Sequence, residues 1–99
     1  MKLWIDDLRP APEGWTWAKT STEALALIES HQDDIIAISF DHDLGGDDTT
    51  RPVALWLAEH EAFPANVFIH SANRVGRDWL MSLITRYGPR PVLLDYKER

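Results

Sequence analysis

The segment at 35–40, IIAISF, is apolar at every position except one serine, and acidic residues flank it on both sides. A near-continuous apolar run of this length is typical of a strand that is buried on both faces, as in a parallel sheet. Apolar segments at 2–5, 15–19, 66–69 and 91–96 predict four more strands. Because helical patterns separate most of these strands, the sequence predicts an α/β domain with a parallel sheet.

Three helices are predicted between the strands. The first follows Thr20, which forms a capping box with Glu23, and it continues to His31. The second is expected over about 51–60 and the third over about 77–87. The residues that helical spacing places on their apolar faces are Val53, Trp56, Leu57, His60, Leu80, Leu83, Ile84 and Tyr87.

Length and composition narrow the class of protein. A chain of 99 residues is expected to form one domain over 1–99. The lack of cysteine excludes disulfides and thiolate metal sites, and it favours a cytoplasmic location. The formal net charge of −6 disfavours binding to bulk nucleic-acid backbone, and no apolar segment has the length of a membrane span. We expect a monomer or a weak homodimer.

Polar residues directly follow three predicted strands, as IDD at 5–7, FDHDLGG at 40–46 and IHSAN at 69–73. The carboxyl ends of parallel strands meet at one edge of a sheet, so these motifs are expected to form one site. Close carboxylates repel one another unless a cation neutralises them, and oxygen ligands without thiols favour Mg²⁺ or Mn²⁺. The predicted metal ligands are Asp6, Asp7, Asp41 and Asp43. The alternative for an acidic pair is a solvated loop or capping role, and we interpret Asp47 and Asp48 in this way, as residues that lead into the next helix.

Two histidines, His42 and His70, belong to these motifs and are predicted to act as general acid and base, since histidine titrates near neutral pH. A structural role is the alternative for each of them. Hydroxyl, amide and guanidinium groups bind phosphoryl oxygens. The predicted phosphate-binding residues are therefore Ser71, Asn73, Arg74, Arg77 and Arg9. An ordinary surface position is the alternative for the arginines, and capping of the next turn is the alternative for Asn73.

WIDD at 4–7, an aspartate after the third strand and Ser71-Ala72 after the fourth resemble the receiver domain of two-component response regulators. This resemblance implies a three-layer, flavodoxin-like domain with a five-stranded parallel sheet in the order 2-1-3-4-5. It also implies that Asp6 and Asp7 bind Mg²⁺ and that Asp41 accepts a phosphoryl group. LRPAPEGW replaces the first helix and reduces the helix complement, and Lys97 stands in for the usual lysine of the last strand.

WIDDLRPAP, FDHDLGG and HSAN together are more similar to a divergent group, the cyclic-phosphate processing receiver domains. That resemblance implies an enzyme whose added histidines act on cyclic phosphate ends of RNA or on related nucleotides. The leading hypothesis is a metal-dependent phosphoesterase that hydrolyses 2′,3′-cyclic RNA ends or cyclic nucleotides, with Asp41, His42 and His70 as catalytic residues. The alternatives are a signalling receiver phosphorylated at Asp41 and a module that binds a nucleotide without turnover.

Overall fold

The computed structural model describes residues 1–89 and 93–94. Its elements, in chain order, are β1 (Lys2–Ile5), β2 (Thr16–Ala18), α1 (Ser21–Ser30), β3 (Ala37–Phe40), α2 (Arg51–Glu59), β4 (Asn66–Ile69), α3 (Arg74–Tyr87) and β5 (Leu93–Leu94). No described helix combines the length and the hydrophobicity that a membrane span requires.

All the paired strands run parallel, which confirms the predicted α/β class and the receiver-like sheet. The strands up to residue 69 lie in the order β2-β1-β3-β4, and the two-residue β5 pairs with the outer edge of β4. The rest of the strand predicted at 91–96, together with Lys97, lies outside the described residues.

The strand register places side chains in rows that alternate between the two faces of the sheet. One row consists of Leu3, Ile38 and Val67, and the following row on the same face consists of Ile5, Phe40 and Ile69. The row between them, on the opposite face, consists of Trp4, Ser39 and Phe68.

The three described helices pack on the face that carries the aliphatic rows. The buried residues with which they complete this core are Ala24, Ile28, Val53, Ala54, Leu57, Leu80 and Ile84. The predicted three-layer arrangement is therefore wrong for the described part of the chain, which has two layers. The reason is the crossover at 6–15, where Pro10 and Pro12 occur and where a three-layer domain would have a helix on the second face.

Aromatic rings cover part of the second face. Trp15 packs edge-on against both Trp4 and Phe68, with ring centroids 5.9 and 6.0 Å apart. Trp4 also stacks on His70 at 3.9 Å with nearly parallel rings. The crossover loop thus contributes Trp15 to an aromatic cluster whose other rings come from β1 and β4, and the stack of Trp4 on His70 extends the cluster to the carboxyl edge of the sheet.

Capping side chains fix where the helices begin. The Thr20 hydroxyl accepts a hydrogen bond from the Glu23 backbone N–H, as predicted, but Glu23 itself accepts from the N–H of Lys19 rather than from that of Thr20. Asn73 caps α3, which consequently starts at Arg74 instead of Arg77. The predicted helical faces hold except at their ends, where His60 and Tyr87 are exposed.

The loop after β3 folds back on itself and contacts α1. Gly45 and Gly46 both have positive φ, 87° and 56°, which lets the chain turn tightly enough for the Leu44 N–H to reach the Asp48 carbonyl. The Asp48 carboxylate accepts hydrogen bonds from the backbone N–H and the hydroxyl of Ser21, at 2.9 and 2.5 Å. Asp48 therefore supplies a partner to an N–H in the first turn of α1.

Replacing Asp48 by alanine is expected to lower the free energy of unfolding by about 1–2 kcal/mol, because a helix-terminal N–H loses its acceptor and its favourable anion. Asp47→Ala is the matched control: its side chain is exposed, and the expected change is below about 0.5 kcal/mol. Urea denaturation measures both values. Equal effects of the two substitutions would contradict the assigned contact.

Candidate functional site

Three of the four predicted metal ligands lie together at the carboxyl edge of the sheet. Asp6 and Asp7 follow β1, Asp41 follows β3, and one carboxylate oxygen from each residue lies within 4.8 Å of the other two. The pairing of β1 with β3 in register brings them together, since Ile5 is opposite Phe40. The three residues are called the carboxylate cluster below.

Asp41 carries the electrostatic consequence of this crowding. Burial raises the pKa of its carboxyl to about 6, with further contributions from the negative charges of Asp6 and Asp7. Hydrogen bonds from the His42 backbone N–H and the Ser71 hydroxyl act in the opposite direction but do not cancel the shift. A site with this property favours either a proton or a cation at neutral pH.

Asp6 is the most rigidly held member of the cluster. It is 3% exposed, and its Oδ1 accepts hydrogen bonds from the backbone N–H groups of Leu8 and Arg9 at 2.9 and 2.8 Å. Its Oδ2 lies 3.1 Å from the Nε2 of His70. With both oxygens engaged, the orientation of this carboxylate is fixed before any ligand arrives.

His70 lies directly behind the cluster. Its ring is stacked on Trp4, its Nδ1 is 2.6 Å from the Ser39 hydroxyl, and its Nε2 faces Asp6. Burial lowers the pKa of His70 to about 4, and the positive charge of Arg9 adds to the effect, although Asp6 opposes it. The imidazole is accordingly neutral at pH 7.

His42 points to a different part of the molecule. Its Nε2 accepts a hydrogen bond from the Nε of Arg51 at 2.9 Å, so the proton of the neutral ring is on Nδ1, which donates to Asp43 at 3.0 Å. The ring also packs against Gly76, where an added Cβ would lie 2.2 Å from the His42 ring. Both ring nitrogens therefore have partners outside the carboxylate cluster.

The structure does not bring Asp43 or Asn73 into the carboxylate cluster. Asp43 is exposed, and its second oxygen accepts a hydrogen bond from the Asn73 side-chain amide at 2.8 Å. That bond, assisted by His42, holds the pKa of Asp43 below its usual value. Because the Asn73 carbonyl caps α3 at Gly76, the amide has a partner at each end. These contacts join the loop after β3 to the start of α3.

The remaining predicted phosphate-binding residues occupy different positions. Ser71 is buried, donates to Asp41 and accepts from the Asn73 N–H, so its hydroxyl is part of the site edge. Arg9 is exposed on the loop that holds Asp6, and its charge acts on His70. Arg74 is exposed at the first turn of α3, and Arg77 is half-buried one turn later.

Sequence reasoning missed three residues that contact the predicted site residues. Ser39 and Trp4 hold His70, and Arg51, whose guanidinium lies 4.7 Å from the Trp79 ring, holds His42. The sequence does single out Ser39, because it is the one polar residue in an otherwise apolar segment that predicts a buried strand. No sequence pattern distinguishes Arg51 from an ordinary residue in the first turn of a helix.

The fold and this edge of acidic and hydroxyl groups define a receiver-like α/β domain. Residues 1–86 match the model of the cyclic-phosphate processing receiver domain, and the chain therefore belongs to that family. Comparisons with the curated proteins and with the solved structures give no match.

Asp41→Asn is expected to stabilise the metal-free protein at pH 7 but not at pH 4. A folded-state pKa above the ordinary 3.8 means that the folded protein binds the proton more tightly, so stability falls as pH rises from about 4 to about 6. Asparagine removes that loss, by about 1 kcal/mol once solvent screening of this half-buried group is considered.

Urea unfolding in EDTA at the two pH values measures this difference, and Asp47→Asn provides an exposed control. A gain from Asp41→Asn that is the same at pH 4 and pH 7 would show that ionisation of the Asp41 carboxyl is not its cause.

Proposed function

We propose that the protein is a metal-dependent phosphoesterase that hydrolyses cyclic phosphates, such as 2′,3′-cyclic ends of RNA or cyclic nucleotides. The observation that carries this proposal is the carboxylate cluster with the neutral His70 imidazole in contact with it. Membership of the cyclic-phosphate processing receiver family supports the choice of substrate class.

The residues of the cluster fit Mg²⁺ or Mn²⁺. All three side chains offer carboxylate oxygens, which these hard ions prefer. The pKa of Asp41 is raised by burial and by the charges of Asp6 and Asp7, and a divalent cation would offset both effects. Gly45 leaves room beside Asp7, since a Cβ there would lie 3.1 Å from Asp7 Oδ2. Asp6, Asp7 and Asp41 would hold the ion, which when bound polarises a phosphoryl oxygen and activates water.

Each neighbouring residue has a role in this proposal. Arg9 and Ser71 orient the phosphate, from the loop after β1 and from the end of β4. As water attacks phosphorus and loses a proton, the bond from phosphorus to the ring oxygen breaks and the leaving oxygen takes up one proton, so the net reaction consumes one water. His70 acts here through its neutral Nε2–H, which donates a hydrogen bond to Asp6 and would keep that carboxylate in position during the reaction. His42 holds Asp43 and is assigned a positioning role.

The test is to incubate the protein with Mn²⁺ or Mg²⁺ and a panel of 2′,3′-cyclic and 3′,5′-cyclic nucleotides and cyclic-ended oligoribonucleotides. Ring opening is followed by ³¹P NMR. We expect turnover that EDTA abolishes. Asp7→Asn and His70→Gln should each reduce the rate of turnover by at least about 100-fold. Asp47→Asn, an acidic residue of the same loop region, is the matched control and should retain activity. Wild-type protein that is inert over the whole panel would defeat the proposal.

A signalling receiver is the second candidate function. The observation that favours it is the proximity of the Asp41 carboxylate to those of Asp6 and Asp7, together with the hydrogen bond that it accepts from the Ser71 hydroxyl. In this role Asp41 would attack the phosphorus of a small phosphodonor, and the bond from phosphorus to the leaving group of the donor would break.

Acetyl phosphate and Mg²⁺ distinguish the two candidates. A receiver should gain the mass of one phosphoryl group, and Asp41→Asn should not. The phosphoesterase proposal instead expects no phosphorylated protein to accumulate while cyclic phosphate is consumed. Intact-mass spectrometry and the ³¹P assay on the same protein sample give both answers.

A further inference from the structure

Ser39 is a buried polar residue for which neither the core nor the proposed chemistry has an obvious use. It lies in β3 between Ile38 and Phe40, is 0% exposed, and faces the aromatic side of the sheet between Trp4 and Phe68. A hydroxyl in such a position costs free energy unless it makes a hydrogen bond. Its described partner is the Nδ1 of His70, at 2.6 Å.

The contacts of His70 determine which atom carries its proton. The carboxylate of Asp6 can only accept hydrogen bonds, so the Nε2 that faces it at 3.1 Å is the donor. A neutral imidazole carries one proton, so a ring whose Nε2–H is directed at Asp6 has a lone pair at Nδ1. The Ser39 hydroxyl, 2.6 Å from Nδ1, therefore donates a hydrogen bond to it. The Nδ1–H tautomer would instead point a lone pair at a carboxylate oxygen.

The set Ser39, His70 and Asp6 has the composition of a hydrolase triad, but it does not have the arrangement of one. Ser39 lies inside the sheet layer with no exposed surface, whereas a nucleophile must reach substrate. In a hydrolase triad the serine lies at the substrate and the aspartate lies behind the histidine. Here Asp6 lies at the ligand-facing edge, and Ser39 lies behind His70 within the core.

We infer that Ser39 is a positioning residue: its hydroxyl occupies the Nδ1 lone pair of His70, holds the ring with Nε2–H directed at Asp6 and thereby helps to fix the orientation of the Asp6 carboxylate. The stack of His70 on Trp4 holds the ring plane, Asp6 determines which nitrogen carries the proton, and the Ser39 hydroxyl holds the ring within that plane. Its effect on metal binding rests on the proposed function, but its hydrogen bond to the ring does not.

Heteronuclear NMR of ¹⁵N-labelled protein in EDTA tests the tautomer without metal, substrate or activity. Long-range ¹H–¹⁵N correlations distinguish protonated from unprotonated ring nitrogens, and the signals of His70 are identified by their loss in His70→Gln. Wild type is expected to show the proton on Nε2. A wild-type His70 with its proton on Nδ1 overturns the inference with no variant required.

Three substitutions then isolate the hydroxyl. Ser39→Ala removes the donor and should move the ¹⁵N signal of the unprotonated Nδ1 downfield, because that nitrogen loses its hydrogen bond, whereas Ser39→Thr keeps a hydroxyl and should keep the wild-type signal. Phe68→Leu, in the same row of the sheet, is the control for loss of packing and should also leave this signal unchanged. A Ser39→Ala protein whose Nδ1 signal does not move contradicts the role assigned to Ser39.

Mn²⁺ titration followed by electron paramagnetic resonance tests the consequence for the cluster. Ser39→Ala is expected to weaken Mn²⁺ binding by about tenfold, the lower end of the range for residues that support a ligand indirectly. Ser39→Thr and Phe68→Leu should bind as wild type does. If wild type binds no Mn²⁺, the proposed function fails while the NMR result still decides the tautomer. If wild type and Ser39→Ala bind equally well, the transmission to Asp6 is refuted.

Discussion

The repulsion among three carboxylates at one edge of a parallel sheet is the constraint on which the rest of the site depends. Chain folding brings Asp6, Asp7 and Asp41 within 4.8 Å of one another, and their mutual repulsion opposes the folded state unless a proton or a cation compensates it. The core beneath them supplies the opposing free energy. Its aliphatic rows continue through β1, β3 and β4 up to the residues that precede the cluster.

Residues on both faces of the sheet hold this edge in place, by different contacts. On the helical face, aliphatic residues of α1, α2 and α3 fix the positions of the strands. On the aromatic face, Trp4 and Ser39 hold His70, and His70 holds Asp6. A substitution on the aromatic face is therefore expected to change the geometry of the carboxylate cluster with little effect on the aliphatic core.

The sequence was sufficient to predict the class of fold and the carboxylate cluster, because both follow from short-range patterns. An apolar strand followed at once by aspartate places that aspartate at the strand end, and parallel pairing brings such ends together. Asp6, Asp7 and Asp41 could be predicted in this way. The number of layers could not, because it depends on whether the crossover at 6–15 packs as a helix or as a loop with aromatic side chains.

The separate roles of the two histidines could not be predicted for a related reason. Both follow strands in polar motifs, but the chemistry of each depends on partners that lie outside its own motif. His70 meets Asp6 across 64 positions, and His42 meets Arg51 and the backbone of Gly76. Asn73 was expected either to bind phosphate or to cap a turn, and the side chain that caps α3 also reaches Asp43.

The motif Asp41-His42-Asp43 shows how one short segment can serve two networks. Asp41 faces the cluster, whereas His42 turns towards α3, where Gly76 leaves space for its ring. Asp43 then closes a chain of hydrogen bonds from Arg51 through His42 and Asp43 to Asn73, which ties the starts of α2 and α3 to the loop that carries Asp41. Because His42 and Asp41 are adjacent in the chain, a displacement of His42 would move the Asp41 backbone with it. In the proposed phosphoesterase, His42 would therefore act by holding the geometry of the loop that carries Asp41, without transferring a proton or contacting substrate.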